Sequence, residues 1–208
     1  MKYFRFILVT FIFFLGLTLI GIIFWEQELQ YTQPTPVPKD YVPVSMKEHI
    51  KPNIPFLKEN DKPKFLHFYN PDCPCSRFNV PHFNSLIRKY QNAVDFYVVV
   101  NLDEHVLPVK ETFGNSIQVI HDTEKEIAKA CGVYATPQAV IIDHNNKLFY
   151  TGNFNKSRYC TDPETNFAAL ALVALLKQEP APVMTPLATT AYGCALGKRS
   201  WFRTLIGQ

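Results

Sequence analysis

The chain has 208 residues with a hydrophobic share of 47%, enough for one domain with its own core and too little for two once the flanking segments are set aside. A formal charge of +3 is too small to hold a polyanion, so nucleic acid is not expected as a partner, and the apolar content excludes a disordered chain.

Phe6 to Trp25 is an unbroken run without charge, long enough to cross a bilayer as a helix of roughly 20 residues. It ends in Ile22-Ile23-Phe24-Trp25 and Glu26, with no small-residue cutting site, so residues 1–25 read as a cytoplasmic stub and an uncleaved anchor. Lys2 and Arg5 precede the run and Glu26 and Glu28 follow it. The positive-inside bias then leaves the N-terminus cytoplasmic and the rest of the chain outside a plasma (inner) membrane, in a bacterial periplasm. There, five cysteines can include real disulfides, and their odd number leaves at least one unpaired.

Residues 26–55 are polar and carry Pro34, Pro36, Pro38, Pro43 and Pro52, which favours an extended linker or stalk. Residues 56–178 form the expected domain. Phe65 to Tyr69 reads as a buried strand and Asn70-Pro71-Asp72 as a turn; a helix follows over Pro74 to Tyr90, with Phe78, Leu86 and Ile87 facing inward and a kink at Pro81. Val94 to Val100 is a second strand. A short helix over 103–113, a strand over Ile117 to Ile120 and a helix over Thr123 to Cys131 continue the alternation. Gln138 to Asp143 and Lys147 to Tyr150 form a hairpin, and Pro163 to Gln178 a closing helix. The order βαβαβαββα predicts an α/β fold, a central mixed sheet flanked by helices, behind the N-terminal transmembrane helix. Phe167 to Leu176 is too short for a second span. Residues 179–208 form an extension without periodicity, broken by Pro180, Pro182 and Pro186.

The chemistry concentrates at Cys73-Pro74-Cys75-Ser76. Cys73 stands as the cap and Pro74 in the first helical position, where its missing N–H costs nothing. The free N–H groups of Cys75 and Ser76 and the helix dipole favour a thiolate at Cys73.

These residues, with Pro81 eight positions beyond Cys73 and Ala135-Thr136-Pro137 ahead of a strand, resemble the thioredoxin-like superfamily. The extra helix and strand between Val100 and Thr123 are similar to its membrane-anchored redoxin branch. The resemblance implies a cis Pro137 lying against Cys73, with Thr136 pairing its backbone to a substrate peptide. It implies a thiol-disulfide oxidoreductase without a resident cofactor, acting on protein or small-molecule thiols and disulfides. Ser76 occupies the place where the family usually has its second cysteine, and Cys75 comes one residue early. Cap and second helical positions diverge by about 200 degrees, so a Cys73–Cys75 disulfide would be strained, and therefore oxidising. On this reading Cys73 and Cys75 are the catalytic pair, with Cys73 attacking and Cys75 resolving.

Cys131, before Gly132, reads as a buried small apolar residue. Cys160 and Cys194 flank the closing helix and form a structural bridge on one reading. On the other, Tyr192-Gly193-Cys194 folds back over the active site as a third thiol, a resolving partner or metal ligand. Clustered thiolates favour Cu(I) or Zn(II), so a copper-binding or copper-delivery protein is the alternative of a different class. A thiol peroxidase ranks below it, lacking the threonine expected shortly before the attacking cysteine. His49, His67, His82, His105, His121 and His144 show no metal-motif spacing; His67 and His82 are placed to tune a thiolate. The basic tail residues Lys198, Arg199 and Arg203 read as a solvated end.

Overall fold

The computed structural model of the chain describes residues 2–50, 61–114, 117–156 and 163–197. They divide into two units, Met1–Gln33 and Pro34–Gln208. The first consists of helix α1 (Lys2–Gln27) and a short 3-10 turn at Leu29–Thr32. By length and composition α1 is apolar enough to cross a membrane, and it is the one such helix among the described residues.

The second unit is built on a five-stranded sheet in the order β3-β2-β1-β5-β6. Its strands are β1 (Lys64–Phe68), β2 (Asp95–Val100), β3 (Gln118–His121), β5 (Gln138–Ile142) and β6 (Leu148–Gly152). β1, β2 and β3 run parallel, while β5 is antiparallel to β1 and to β6. Helices α2 (Pro74–Tyr90), α3 (Val106–Phe113), α4 (Glu126–Ala130) and α5 (Phe167–Leu176) connect or cover the strands. A two-residue strand β4 (Ala135–Thr136), the short helix α6 (Pro186–Thr189) and β7 (Cys194–Ala195) complete the unit. The alternation expected from the sequence is the one observed, a mixed sheet between helical layers, and the thioredoxin-like fold class holds.

Period-two alternation sends the strand side chains to two cores. Phe65, Phe96, Val98, Val100 and Ile141 pack against Phe83 and Leu86 of α2 and Ala168, Ala171 and Leu172 of α5. Leu66, Phe68, Tyr97, Val99, Val140 and Ile142 pack on the other face against Ile127, Ala128 and Cys131. Burial on both faces is why β1 and β5 read as continuous apolar runs rather than alternating ones. In α2 the inward row is Asn79, Phe83 and Leu86. Phe78, expected inside, falls off that row by one position and is exposed, and Ile87 packs at the margin. The helix runs through Pro81 without ending.

Two segments depart from expectation. The proline-rich stretch is not a stalk as far as residue 55: from Pro34 it belongs to the domain. Ile50 is buried in the second core with Val44 packed beside it. Tyr41 donates its hydroxyl to Gly132 O at 3.1 Å. Near the free edge of β6, Lys47 N–H donates to Leu148 O at 2.7 Å and Leu148 N–H to Glu48 O at 2.9 Å. Extended, proline-spaced backbone has its polar groups free, which suits it to satisfy a sheet edge. Residues 51–55 lie outside the described residues.

The extension after α5 also folds back. Asn153, just beyond β6, donates its side-chain amide to Leu187 O at 2.7 Å and to Thr190 O at 2.6 Å, and its N–H to Ala188 O at 2.7 Å. Tyr150 OH donates to Asn153 O at 2.6 Å and fixes the turn that presents the amide. A side chain at Gly152 would collide with Ala188 O, so the absence of a Cβ there is what lets α6 dock. Lys198, Arg199 and Arg203 lie outside the described residues.

Asp122 holds α4, the helix that leads into β4. Its carboxylate accepts the N–H groups of Ile127 at 3.1 Å and Ala128 at 2.9 Å, while Asn101 Nδ2 donates to its carbonyl at 2.9 Å. Removing a buried charged acceptor orphans two donors, so Asp122→Ala should lower the unfolding free energy by about 1–3 kcal/mol. Urea denaturation of the two proteins checks this through the midpoint at constant slope.

Candidate active site

Buried β1 ends at Phe68 and delivers the chain to a turn held from within. Asp72 N–H donates to Asn70 Oδ1 at 2.8 Å, Cys73 N–H to Asn70 O at 3.0 Å, and Asn70 N–H to Ser76 Oγ at 3.3 Å. The turn places Cys73 as the N-cap of α2 with Pro74 directly inside. Ser76 N–H donates to the carbonyl of Cys73 at 3.0 Å rather than to its sulfur, and the cap makes no side-chain hydrogen bond. The bridged sulfur therefore takes no hydrogen bond from the first turn of α2.

That sulfur is bridged to Cys194 across a sequence separation of 121. Of the two partners expected for Cys73, the structure pairs it with Cys194, on the reading that folds Tyr192-Gly193-Cys194 back over the helix start, while Cys75 is buried on α2 outside the bridge, at 2% exposure. The reason is the divergence of the two positions around the helix, which points Cys75 toward the core. A Cys160–Cys194 tie is not formed here, since Cys194 is engaged by Cys73; Cys160 itself lies outside the described residues.

The other wall is the Thr136–Pro137 loop. Its peptide bond is cis. Cys73 Sγ lies 3.5 Å from Thr136 O, a contact and not a hydrogen bond, because a bridged sulfur carries no proton. β4 pairs antiparallel with β7, Ala135 opposite Ala195 and Thr136 opposite Cys194. Leu196 N–H extends the pairing by donating to Tyr134 O at 3.0 Å. On its far side the tail is held by Thr35, whose N–H donates to Ala191 O at 2.8 Å and whose hydroxyl donates to Gly193 O at 3.2 Å. Thr136 Oγ1 and Gln138 Oε1, on either side of Pro137, are buried with no hydrogen-bond partner among the described residues. The structure thus brings Cys73, Thr136, Pro137 and Cys194 together at one point.

One pair beside Cys73 has no sequence signature. Asp72 Oδ2 lies 3.3 Å from His105 Nε2, with both side chains almost fully buried. Glu104 joins them in the single group among the described residues that could hold a metal ion, with ligand atoms within 4.8 Å of one another. Two carboxylates and an imidazole suit a harder cation than Cu(I). The pair is 33 residues apart in sequence, and only the crossover through β2 brings it together.

Cys131 is fully buried. Burial first, and then the charge of Asp122, push its thiol up to about 12, so it remains protonated as a small apolar core residue. His67 and His82 meet the aromatic core rather than a sulfur. The His67 ring lies 4.7 Å from the rings of both Phe83 and Phe154 and 5.3 Å from Tyr69.

The fold and the meeting of a helix-capping cysteine with a cis-proline loop define this as a thioredoxin-like domain. The chain belongs to the family described as Domain of unknown function (DUF6436), whose model matches residues 43–195 and so takes in Cys73, Pro137 and Cys194. Among curated proteins it is similar to a thiol-disulfide oxidoreductase ResA from Geobacillus thermodenitrificans, 33% identical over 98 residues. That match covers 44% of this chain and 56% of the relative, so the chain spans about half the length of the relative. A solved structure of an uncharacterized conserved protein from Geobacillus kaustophilus has a TM-score of 0.57 and 25% identity, covering 79% of this chain and 94% of the other. A hypothetical protein from Sinorhizobium meliloti 1021 has the same fold, with a TM-score of 0.59, 16% identity and coverage of 75% and 96%.

Among the described residues neither ring nitrogen of His67 meets a hydrogen-bond partner. Burial, reinforced by His82, lowers its pKa from 6.5 to about 3. The unfolded chain takes up a proton below pH 6.5 that the folded chain refuses until about pH 3, so stability from this ring is present above 6.5 and lost as pH falls toward 3. His67→Phe should flatten that acid limb. Urea midpoints at pH 7 and pH 4 should fall less for the variant than for the parent chain.

Proposed function

We propose that this protein is a thiol-disulfide oxidoreductase in which Cys73 exchanges disulfides with a thiol or disulfide substrate docked along Ala135–Thr136. The observation that carries the reading is a disulfide at the cap of α2, held against the cis-proline loop by strand pairing. Each part has a chemical task. The turn from Asn70 to Cys73 fixes the sulfur, so exchange costs little reorganisation. The backbone of Ala135–Thr136 offers strand pairing, which recognises extended polypeptide without reading its side chains. Once the bridge opens, the N-terminus of α2 is available to favour a thiolate at Cys73. The curated relative at 33% identity supports this chemistry by its name.

The location belongs to the same proposal. α1 anchors the chain in a membrane, Lys2 and Arg5 on the cytoplasmic side, and the domain works on the outer face, where a disulfide persists.

Reduction of insulin by a dithiol, followed by turbidity with the full chain as catalyst, tests the activity. The parent chain should accelerate it and Cys73→Ser should return the rate to the uncatalysed background. Acceleration that survives Cys73→Ser would remove Cys73 from the chemistry.

A further inference from the structure

Cys194 reaches Cys73 on a strand, and the strand lies where a substrate strand would lie. β7 takes up the free backbone of Ala135–Thr136, with Cys194 directly opposite Thr136. This is more than a convenient tie. The residue before Cys194 is Gly193, at φ +137, and a Cβ there would run into Thr136 O and come within 3.3 Å of Pro137 Cδ. The tail therefore fits the groove as a close backbone-to-backbone contact, which only glycine at this position permits. Its other edge is covered by Thr35 and by a bridge between Pro34 and Tyr192, and upstream it is pinned by Asn153. A peptide and β7 cannot occupy Ala135–Thr136 together.

We propose that Cys194, rather than Cys75, is the resolving sulfur for Cys73, and that β7 acts as a tethered stand-in for the substrate, an extended polypeptide segment carrying a disulfide. The proposal rests on the exchange reading above. In the reduced chain, β7 leaves the groove and a substrate strand takes its place. Cys73 gives its proton to solvent and its thiolate attacks the substrate disulfide R–S–S–R′. The bond between Cys73 and R–S forms, the S–S bond of the substrate breaks, and R′–S⁻ leaves and is protonated by solvent. Cys194 then loses its proton, β7 re-enters, and the Cys194 thiolate attacks Cys73 Sγ. The Cys73–Cys194 bond forms, the bond to the substrate breaks, and R–S⁻ leaves as the second thiol. One substrate disulfide gains two electrons and the two cysteines lose them; an external dithiol reopens the bridge for the next cycle. Product release and strand return are then a single event, because the returning strand displaces the product from the same backbone groups. Glycine ahead of the cysteine in β7 also assigns a preference: a substrate cysteine preceded by glycine should enter the groove more readily than one preceded by a larger residue.

The test uses the full chain in detergent, reduced, freed of reductant and mixed with an oxidised Gly-Cys-containing peptide dimer. Released thiols are counted, and the products are identified by mass spectrometry. The parent chain and Cys75→Ser should release two thiols per chain and end with the Cys73–Cys194 bridge. Cys194→Ser should release one thiol and stall as a peptide adduct on Cys73. Gly193→Ala undocks β7, so it should release the first thiol at least as fast as the parent chain and the second at least about tenfold more slowly, as loss of a docked tether lowers the effective concentration of Cys194. Stalling in Cys75→Ser, or two thiols from Cys194→Ser at the parent rate, would overturn the assignment to Cys194 and leave the exchange reading intact. No adduct and no thiol release in any variant would overturn both.

Discussion

Strand β1 has a partner on each edge and a packed layer on each face, and the rest of the domain is arranged around that confinement. A strand so enclosed can leave the sheet only at its ends. Its C-terminal end opens beside β5, whose N-terminus follows Pro137 directly. The register that sets Phe68 opposite Gln138 therefore brings the Asn70–Cys73 turn and the cis-proline loop to the same edge. Cys73 owes its position to the apolar burial of Phe65, Leu66 and Phe68 several residues upstream.

The segments that cover the sheet converge on that edge from both directions along the chain. Pro34 and Thr35 approach from the N-terminal side, Ala191 to Leu196 from the C-terminal side, and the two meet just ahead of Cys194, the partner of Cys73. Ala191 is buried and Leu196 packs on the second core, while the rest of both segments is held by hydrogen bonds to backbone. Such contacts are exchangeable with water at modest cost, unlike the packed interior beneath them.

The central elements were legible in the sequence because their signals are local. Phe65 to Tyr69 has the apolar and aromatic run of a doubly buried strand, interrupted only by His67, and Pro74 behind a small polar turn marks a helix start. What escaped was long-range or too short to show a period. β4 and β7 have two residues each, and no pattern of alternation exists at that length. Asp72 and His105 come together through the crossover alone. The prolines between 34 and 43 point to a spacer because proline disfavours regular structure, yet an extended chain with unpaired polar backbone is also what a sheet edge can accept. The divergence of Cys73 and Cys75 around the helix is legible in their spacing, and so is Cys194 in reach as a third thiol; which of Cys75 and Cys194 bonds Cys73 is decided by the return of the chain after α5, which no local pattern records.

The clamp that Asn153 places on α6 has a consequence for how far Cys194 can travel. Thr190 is the last residue that this clamp holds, and Cys194 lies four positions further on. At full extension that length of chain reaches about 14 Å. Unseated from the groove, the Cys194 sulfur would still search only a small volume around the end of α2, as a lure on a short line rather than a free end in solution.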